Sequence, residues 1–81
     1  MLVTVYTKPA CPNCVKTKRH LEKNGVPYTE APITPEIMDF ATEHNFKQAP
    51  IVTASRTSDT ISTTEAWCGY QPHKIDALDQ E

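Results

Sequence analysis

The sequence has no apolar run approaching the roughly 18 residues that a membrane-spanning helix requires. Its first residues, Met1-Leu2-Val3-Thr4-Val5, lack the basic region of a secretory signal. The expected compartment is therefore the cytoplasm. Cysteine is sparse and odd in number, with Cys11, Cys14 and Cys68, which argues against a secreted disulfide framework built on four, six or eight. There is no second close cysteine pair of the kind structural zinc sites use. Repeats, linkers and low-complexity segments are also missing, and 81 residues are too few for two cores. The expectation is one domain over residues 1–81, of ordinary globular composition with 38% hydrophobic and 22% charged residues.

What the sequence does have is Thr7-Lys8-Pro9-Ala10-Cys11-Pro12-Asn13-Cys14, a C-x-x-C pair near the N-terminus. Such a pair can hold a metal, act as a structural staple or pass electrons. A staple between positions this close constrains the unfolded chain little, and in a reducing compartment metal binding or catalysis is the commoner use.

Charge is unevenly spread around this pair. The net charge is -2, yet the first 23 residues carry +4 through Lys8, Lys16, Lys18, Arg19 and Lys23 against Glu22. A solvated helix face accounts for such a cluster. Nucleic-acid binding fits less well, because the chain is acidic overall and no aromatic residue interleaves with the lysines.

Leu2-Val3-Thr4-Val5-Tyr6 alternates apolar and polar residues and reads as a strand closed by Pro9. Pro12 to Asn24 reads as a helix with Pro12 in its first turn and Gly25 just past its end. Cys14, Val15, Lys18 and Leu21 are expected to share its inner face, the lysine through its stem. Val26 to Ala31 reads as a second strand in which Pro27 is confined to the start or an unpaired position. Thr34 can cap a second helix with Pro35 first, and Ile37, Phe40, Ala41 and His44 form its stripe, His44 as a half-exposed end rather than a ligand. Ile51-Val52-Thr53 is a third strand, Ser55 to Asp59 a turn without glycine, Thr60-Ile61-Ser62 a weaker fourth strand of uncertain register, and Pro72 opens a last helix with Ile75 and Leu78 inward. The order β-α-β-α-β-β-α implies a parallel pair, an antiparallel hairpin and an α/β fold: a mixed four-stranded sheet with three helices.

On this scaffold Cys11 falls where the first strand gives way to the helix. Unpaired N–H groups and the positive end of the helix dipole there favour thiolate over thiol, and Lys8 with the basic helix can add to the effect. Cys14 lies about one turn inside and more sheltered. A C-x-x-C beside a βαβ pattern points to a thioredoxin-like redox motif, with Cys11 attacking and Cys14 resolving. A zinc site would need Cys68, His20, His44 or His73 to converge on the pair.

Three segments, in order and spacing over almost the whole chain, resemble the NrdH-type redoxins, small glutaredoxin-like proteins of the thioredoxin superfamily. They are Cys11-Pro12-Asn13-Cys14, Ala49-Pro50, and Trp67-Cys68-Gly69-Tyr70-Gln71-Pro72. The resemblance implies a thioredoxin/glutaredoxin fold and thiol-disulfide oxidoreductase activity without a bound cofactor. It implies a cis bond at Pro50 that brings Ala49 beside the cysteines, where a substrate chain can add as a strand. It also implies a substrate-facing set of Lys8, Pro12, Ala49, Pro50, Trp67, Cys68, Gly69 and Tyr70. Glutathione-dependent relatives usually carry a Gly-Gly pair followed by acidic or hydroxyl residues before the last helix, whereas here Gly69 stands alone. The implied electron donor is thus thioredoxin reductase, drawing on NADPH, and the implied acceptor a class Ib ribonucleotide reductase. A glutathione-dependent glutaredoxin, or a zinc or iron-sulfur module, is the alternative. Cys68 departs from the serine common in the family, either as a small buried substitute or as a third redox-active thiol. A monomer is expected.

Overall fold

The computed structural model describes residues 2–57 and 62–78. Its elements are β1 (Leu2–Thr7), α1 (Pro12–Lys23), β2 (Thr29–Pro32), α2 (Pro35–Glu43), β3 (Ile51–Thr57), β4 (Ser62–Cys68) and α3 (Pro72–Leu78), in the order expected. The sheet order is β2-β1-β3-β4. β1 and β2 run parallel, joined through α1, and β3 is antiparallel to both β1 and β4. This is the mixed sheet and three helices of the thioredoxin/glutaredoxin fold.

Strand alternation puts Val3 and Val5 of β1 on one face, opposite Ala54 and Val52 of β3, with Trp67 of β4 beside Val52. These five pack with Leu21 of α1 and with Ile75 and Leu78 of α3 into one buried cluster, so α1 and α3 cover that face. The opposite face carries Ile51, which lines a hollow with Met38 and Ala41 of α2.

Both long helices end in the same way. After α1, the Val26 N–H donates to Leu21 O and the Gly25 N–H to Glu22 O, with Gly25 at φ +72°. After α2, Phe46 donates to Ala41 O and Asn45 to Thr42 O, with Asn45 at φ +60°. This paired closure needs a residue tolerant of the left-handed region at its turn, glycine or asparagine. It also explains a correction. Val26 belongs to the helix exit and is buried with Leu21, and Pro27 offers no N–H, so β2 starts at Thr29 rather than Val26 and extends to Pro32.

Three further expectations shift. The inner face of α1 is Cys14, Thr17 and Leu21, while Val15 is 43% exposed. Lys18 carries its ammonium to Glu30 on β2 at 3.1 Å, and the smaller Thr17 takes the buried position. β3 runs through Ser55 to Thr57, paired to Leu2 on one side and to β4 on the other, where a turn was expected. β4 runs from Ser62 to Cys68, taking in Trp67, and pairs in register from Thr57↔Ser62 to Ile51↔Cys68. The remainder of the expected turn, and Thr60 and Ile61, lie outside the described residues. In α2, Thr34 Oγ1 accepts the Ile37 N–H at 3.3 Å as expected of a cap. His44 is an exposed C-cap whose ring lies 4.3 Å from that of Phe40.

Candidate active site

The C-terminal ends of the parallel strands β1 and β2 meet the start of β3 and the end of β4 at one end of the sheet, since Thr7 pairs with Pro32, Tyr6 with Ile51, and Ile51 with Cys68. The cysteines lie there. After β1, Ala10 adopts φ +54°, a left-handed conformation that costs a residue with a Cβ about 1–2 kcal/mol. Strain of this kind gathers at functional sites, and it turns the chain so that Cys11 becomes the N-cap of α1, with Pro12 in the first turn.

Cys11 Sγ accepts the Cys14 N–H at 3.1 Å, and the first turn of α1 contains no acidic side chain to oppose negative charge on that sulfur. The two cysteines are joined as a disulfide with Cα atoms 5.2 Å apart, within the ordinary span. Cys11 is 9% exposed and Cys14 3%, so Cys11 is the less buried residue of the pair. In the dithiol state the same N–H and the helix dipole favour a thiolate at Cys11. The chemistry this arrangement supports is dithiol-disulfide exchange.

A groove of about 480 Å³ runs past the pair, lined by Thr7, Lys8, Ala10, Cys11, Pro12, Cys14, Val15, Lys18 and Glu30. Glu30 Oε2 accepts from Lys18 Nζ at 3.1 Å and from Thr7 Oγ1 at 3.2 Å. The Lys18 hydrogen bond, then that of Thr7, holds the Glu30 carboxyl below the usual carboxylate range. Lys8 also borders a hollow of about 240 Å³ under α2 that includes Gln48 and Ala49. The Ala49-Pro50 bond is cis. Pro50 is buried and its carbonyl accepts the Gly69 N–H at 2.9 Å, which ties the segment after β4 to the proline.

The residues singled out from sequence thus separate into groups. Lys8 and Pro12 flank the cysteines, and Ala49 sits in the neighbouring hollow. Trp67 is 2% exposed within the core, with Lys74 Nζ 5.9 Å from its ring centroid, so its side chain packs in the core and does not line the cysteine groove. Cys68 is a half-buried free thiol paired with Ile51, on the sheet face away from Trp67, and it does not line the cysteine groove. Tyr70 turns toward α1, its hydroxyl 2.7 Å from His20 Nδ1, while His20 Nε2 is 2.7 Å from Asp76 Oδ1. The His20 imidazole thus bridges the Tyr70 hydroxyl and the Asp76 carboxylate. Asn24 Nδ2 donates to the same Asp76 oxygen at 2.9 Å.

Sequence reasoning missed Thr7, Ala10, Glu30 and the His20-Tyr70-Asp76 chain. The spacing of Cys14 and Lys18 put both on one helix side, but no local signal marked Glu30 as the lysine's partner. Among the described residues no three His, Cys, Asp or Glu gather as a metal ion would need. No helix is long and apolar enough to cross a membrane among the described residues.

Residues 3–55 match the glutaredoxin family model. The chain is 30% identical over 80 residues to the glutaredoxin-like protein NrdH of Salmonella typhimurium, covering 96% of this chain and 89% of that one, and equally to the same protein of Escherichia coli. It is 40% identical over 62 residues to the global transcriptional regulator Spx 1 of Bacillus cereus, but spans only 45% of that protein's length. The solved structure of NrdH-redoxin from Escherichia coli, described as having a thioredoxin-like activity profile, superposes with a TM-score of 0.75 at 29% identity over 96% of this chain and 95% of its own. A glutaredoxin from Archaeoglobus fulgidus shares the fold at a TM-score of 0.60 and 22% identity, over 98% of this chain and 86% of its own.

Proposed function

The chain belongs to the glutaredoxin family, as a thiol-disulfide oxidoreductase of the NrdH type, and we propose that it works as a dithiol reductase of protein disulfides. The observation that carries this is the Cys11–Cys14 disulfide at the start of α1, with the sulfur of Cys11, the less buried residue, accepting the Cys14 N–H.

In the reduced protein the Cys11 thiolate attacks one sulfur of a partner disulfide. A mixed disulfide forms and the partner's other sulfur leaves as a thiolate. Cys14 loses its proton to solvent and attacks Cys11 Sγ, expelling the partner's second thiolate. Two electrons pass to the partner, and this chain is left with the Cys11–Cys14 disulfide. The partner segment lies along the groove by Lys8 and Pro12, in reach of the Ala49 backbone as an added strand.

Thioredoxin reductase, with electrons from NADPH, restores the dithiol in this proposal, and the acceptor is a class Ib ribonucleotide reductase. No bound cofactor takes part, and the protein acts as a cytoplasmic monomer. The lone Gly69 followed by Tyr70, Gln71 and Pro72 supports this donor over glutathione. So does Tyr70's engagement with His20, which occupies its hydroxyl.

Insulin disulfide reduction with each reducing system tests the reading. Turnover is expected with thioredoxin reductase and NADPH, and Cys11→Ser should abolish it. Turnover with glutathione and glutathione reductase but none with thioredoxin reductase would overturn the choice of donor.

A further inference from the structure

Lys16, Arg19 and Lys23 are exposed at i, i+3 and i+7 on α1, and so share one side of the helix. The ion pairs among the described residues are Lys18–Glu30 and His20–Asp76, so none of these three has an acidic partner within 4.0 Å there. With His20 and Tyr70 they line a groove of about 490 Å³ to which no carboxylate contributes among the described residues. Of the acids near this face, Glu22 on the same helix accepts the Tyr28 hydroxyl at 2.7 Å, and Asp76 is engaged by Asn24 and His20, whose hydrogen bonds, with the Lys23 charge adding, hold its carboxyl below the usual range.

This basic groove lies on the same helix as the redox pair. Its first residue, Lys16, lies four positions beyond Pro12 of the cysteine groove and so neighbours it on one helix side, and its last, Lys23, closes the same helix. At 1.5 Å per residue the line from Cys14 to Lys23 is about 14 Å long, which about four extended residues would span. At the other wall, Tyr70 follows Gly69, whose N–H is bonded to the Pro50 carbonyl. The local excess of cations stands out in a chain whose net charge is -2.

We propose that this face of α1 binds an acidic peptide segment lying within about four residues of the partner's disulfide, so that the redoxin selects partners by the charge flanking their cysteines. The inference rests on the protein-disulfide reductase reading and names the chemistry of its substrate. Polypeptide is favoured over nucleic acid because the groove's one aromatic residue, Tyr70, is half-buried with its hydroxyl tied to His20. Successive bases would need a row of exposed rings on which to stack.

The test uses pre-reduced protein in single turnovers, so no reductase is needed. Three synthetic peptides carry one disulfide followed by four glutamates, four glutamines or four lysines. At low ionic strength the glutamate peptide should be reduced about tenfold faster than the glutamine peptide, the size expected of two or three partly screened charge pairs, and the lysine peptide slower still. At about 1 M salt, where screening acts within roughly 3 Å, the three rates should converge. Arg19→Glu with Lys23→Glu should reverse the order, whereas Lys23→Arg should keep it. Equal rates for the glutamate and glutamine peptides at low salt would overturn the proposal while leaving the reductase reading intact. Failure to reduce even the glutamine peptide would instead refute that reading. Competition by an oligothymidylate as strong as by a glutamate peptide without cysteines would also count against acidic-peptide selection.

Discussion

Gly69 offers a quantitative test of how the fold supports the site. It sits at φ +75° directly after β4, and a Cβ built there would lie 2.5 Å from Gln48 Oε1. Gly25 is its control, with φ +72° and nothing within 4 Å of such a Cβ. An alanine in the left-handed region costs about 1–2 kcal/mol, and the loss of unfolded-chain freedom returns about 0.4–1 kcal/mol of that. Each substitution should therefore cost about 1 kcal/mol, or roughly 4–8 °C in Tm for a domain of this size. Gly69→Ala has a second consequence. Gln48 is exposed, so its amide can swing away at little further cost in stability, but it borders the hollow containing Ala49, and the Gly69 N–H holds the Pro50 carbonyl. Urea or thermal unfolding should thus show similar losses for both variants, while peptide-disulfide reduction slows only in Gly69→Ala. A Gly25→Ala protein as stable as the parent would refute the conformational reasoning. Equal reduction rates in the two variants would refute the link from Gly69 to the proline.

Other outcomes follow from the inner face of α1 and from the Asp76 cluster. Leu21 is fully buried, so Leu21→Ala should lose about 2–5 kcal/mol in urea unfolding. Thr17, equally buried, has an Oγ1 with no protein hydrogen-bond partner among the described residues, so Thr17→Val should hold or raise the urea midpoint. The Asp76 carboxyl is held down first by Asn24 and then by His20. Because its folded pKa is depressed, its contribution to stability is present above the unfolded carboxylate pKa and is lost as acid takes the pH down through the folded value. Asn24→Ala should raise the Asp76 pKa toward its ordinary value in a carboxyl-detected NMR titration, and an unchanged value would rule out the Asn24 hydrogen bond as the main cause.

The element order was legible because proline and glycine punctuate this chain at places with one mechanical meaning. Pro12 and Pro35 open helices, Gly25 closes one, and the valines of β1 alternate cleanly. The redox pair was legible for the same reason, since strand, proline and helix start place Cys11 at a cap. The rotation of α1 was not. Thr17 and Lys18 are adjacent, and Lys18 meets Glu30, a residue 12 positions away on β2, a contact that no local pattern records. The start of β2 was misjudged because Val26 is apolar for the sake of the helix exit rather than a strand. The His20-Tyr70-Asp76 chain joins residues 50 and 56 positions apart, and no periodicity or local motif records such a meeting.

Cys11 as the attacking sulfur and Cys14 as its resolver are distinguished by the mass of the Cys14→Ser protein after reaction with an oxidised peptide, followed by digestion to locate the linkage. One stable mixed disulfide through Cys11, released by added dithiol, is the expected product. No trapped adduct, or a linkage through Cys68, would contradict it.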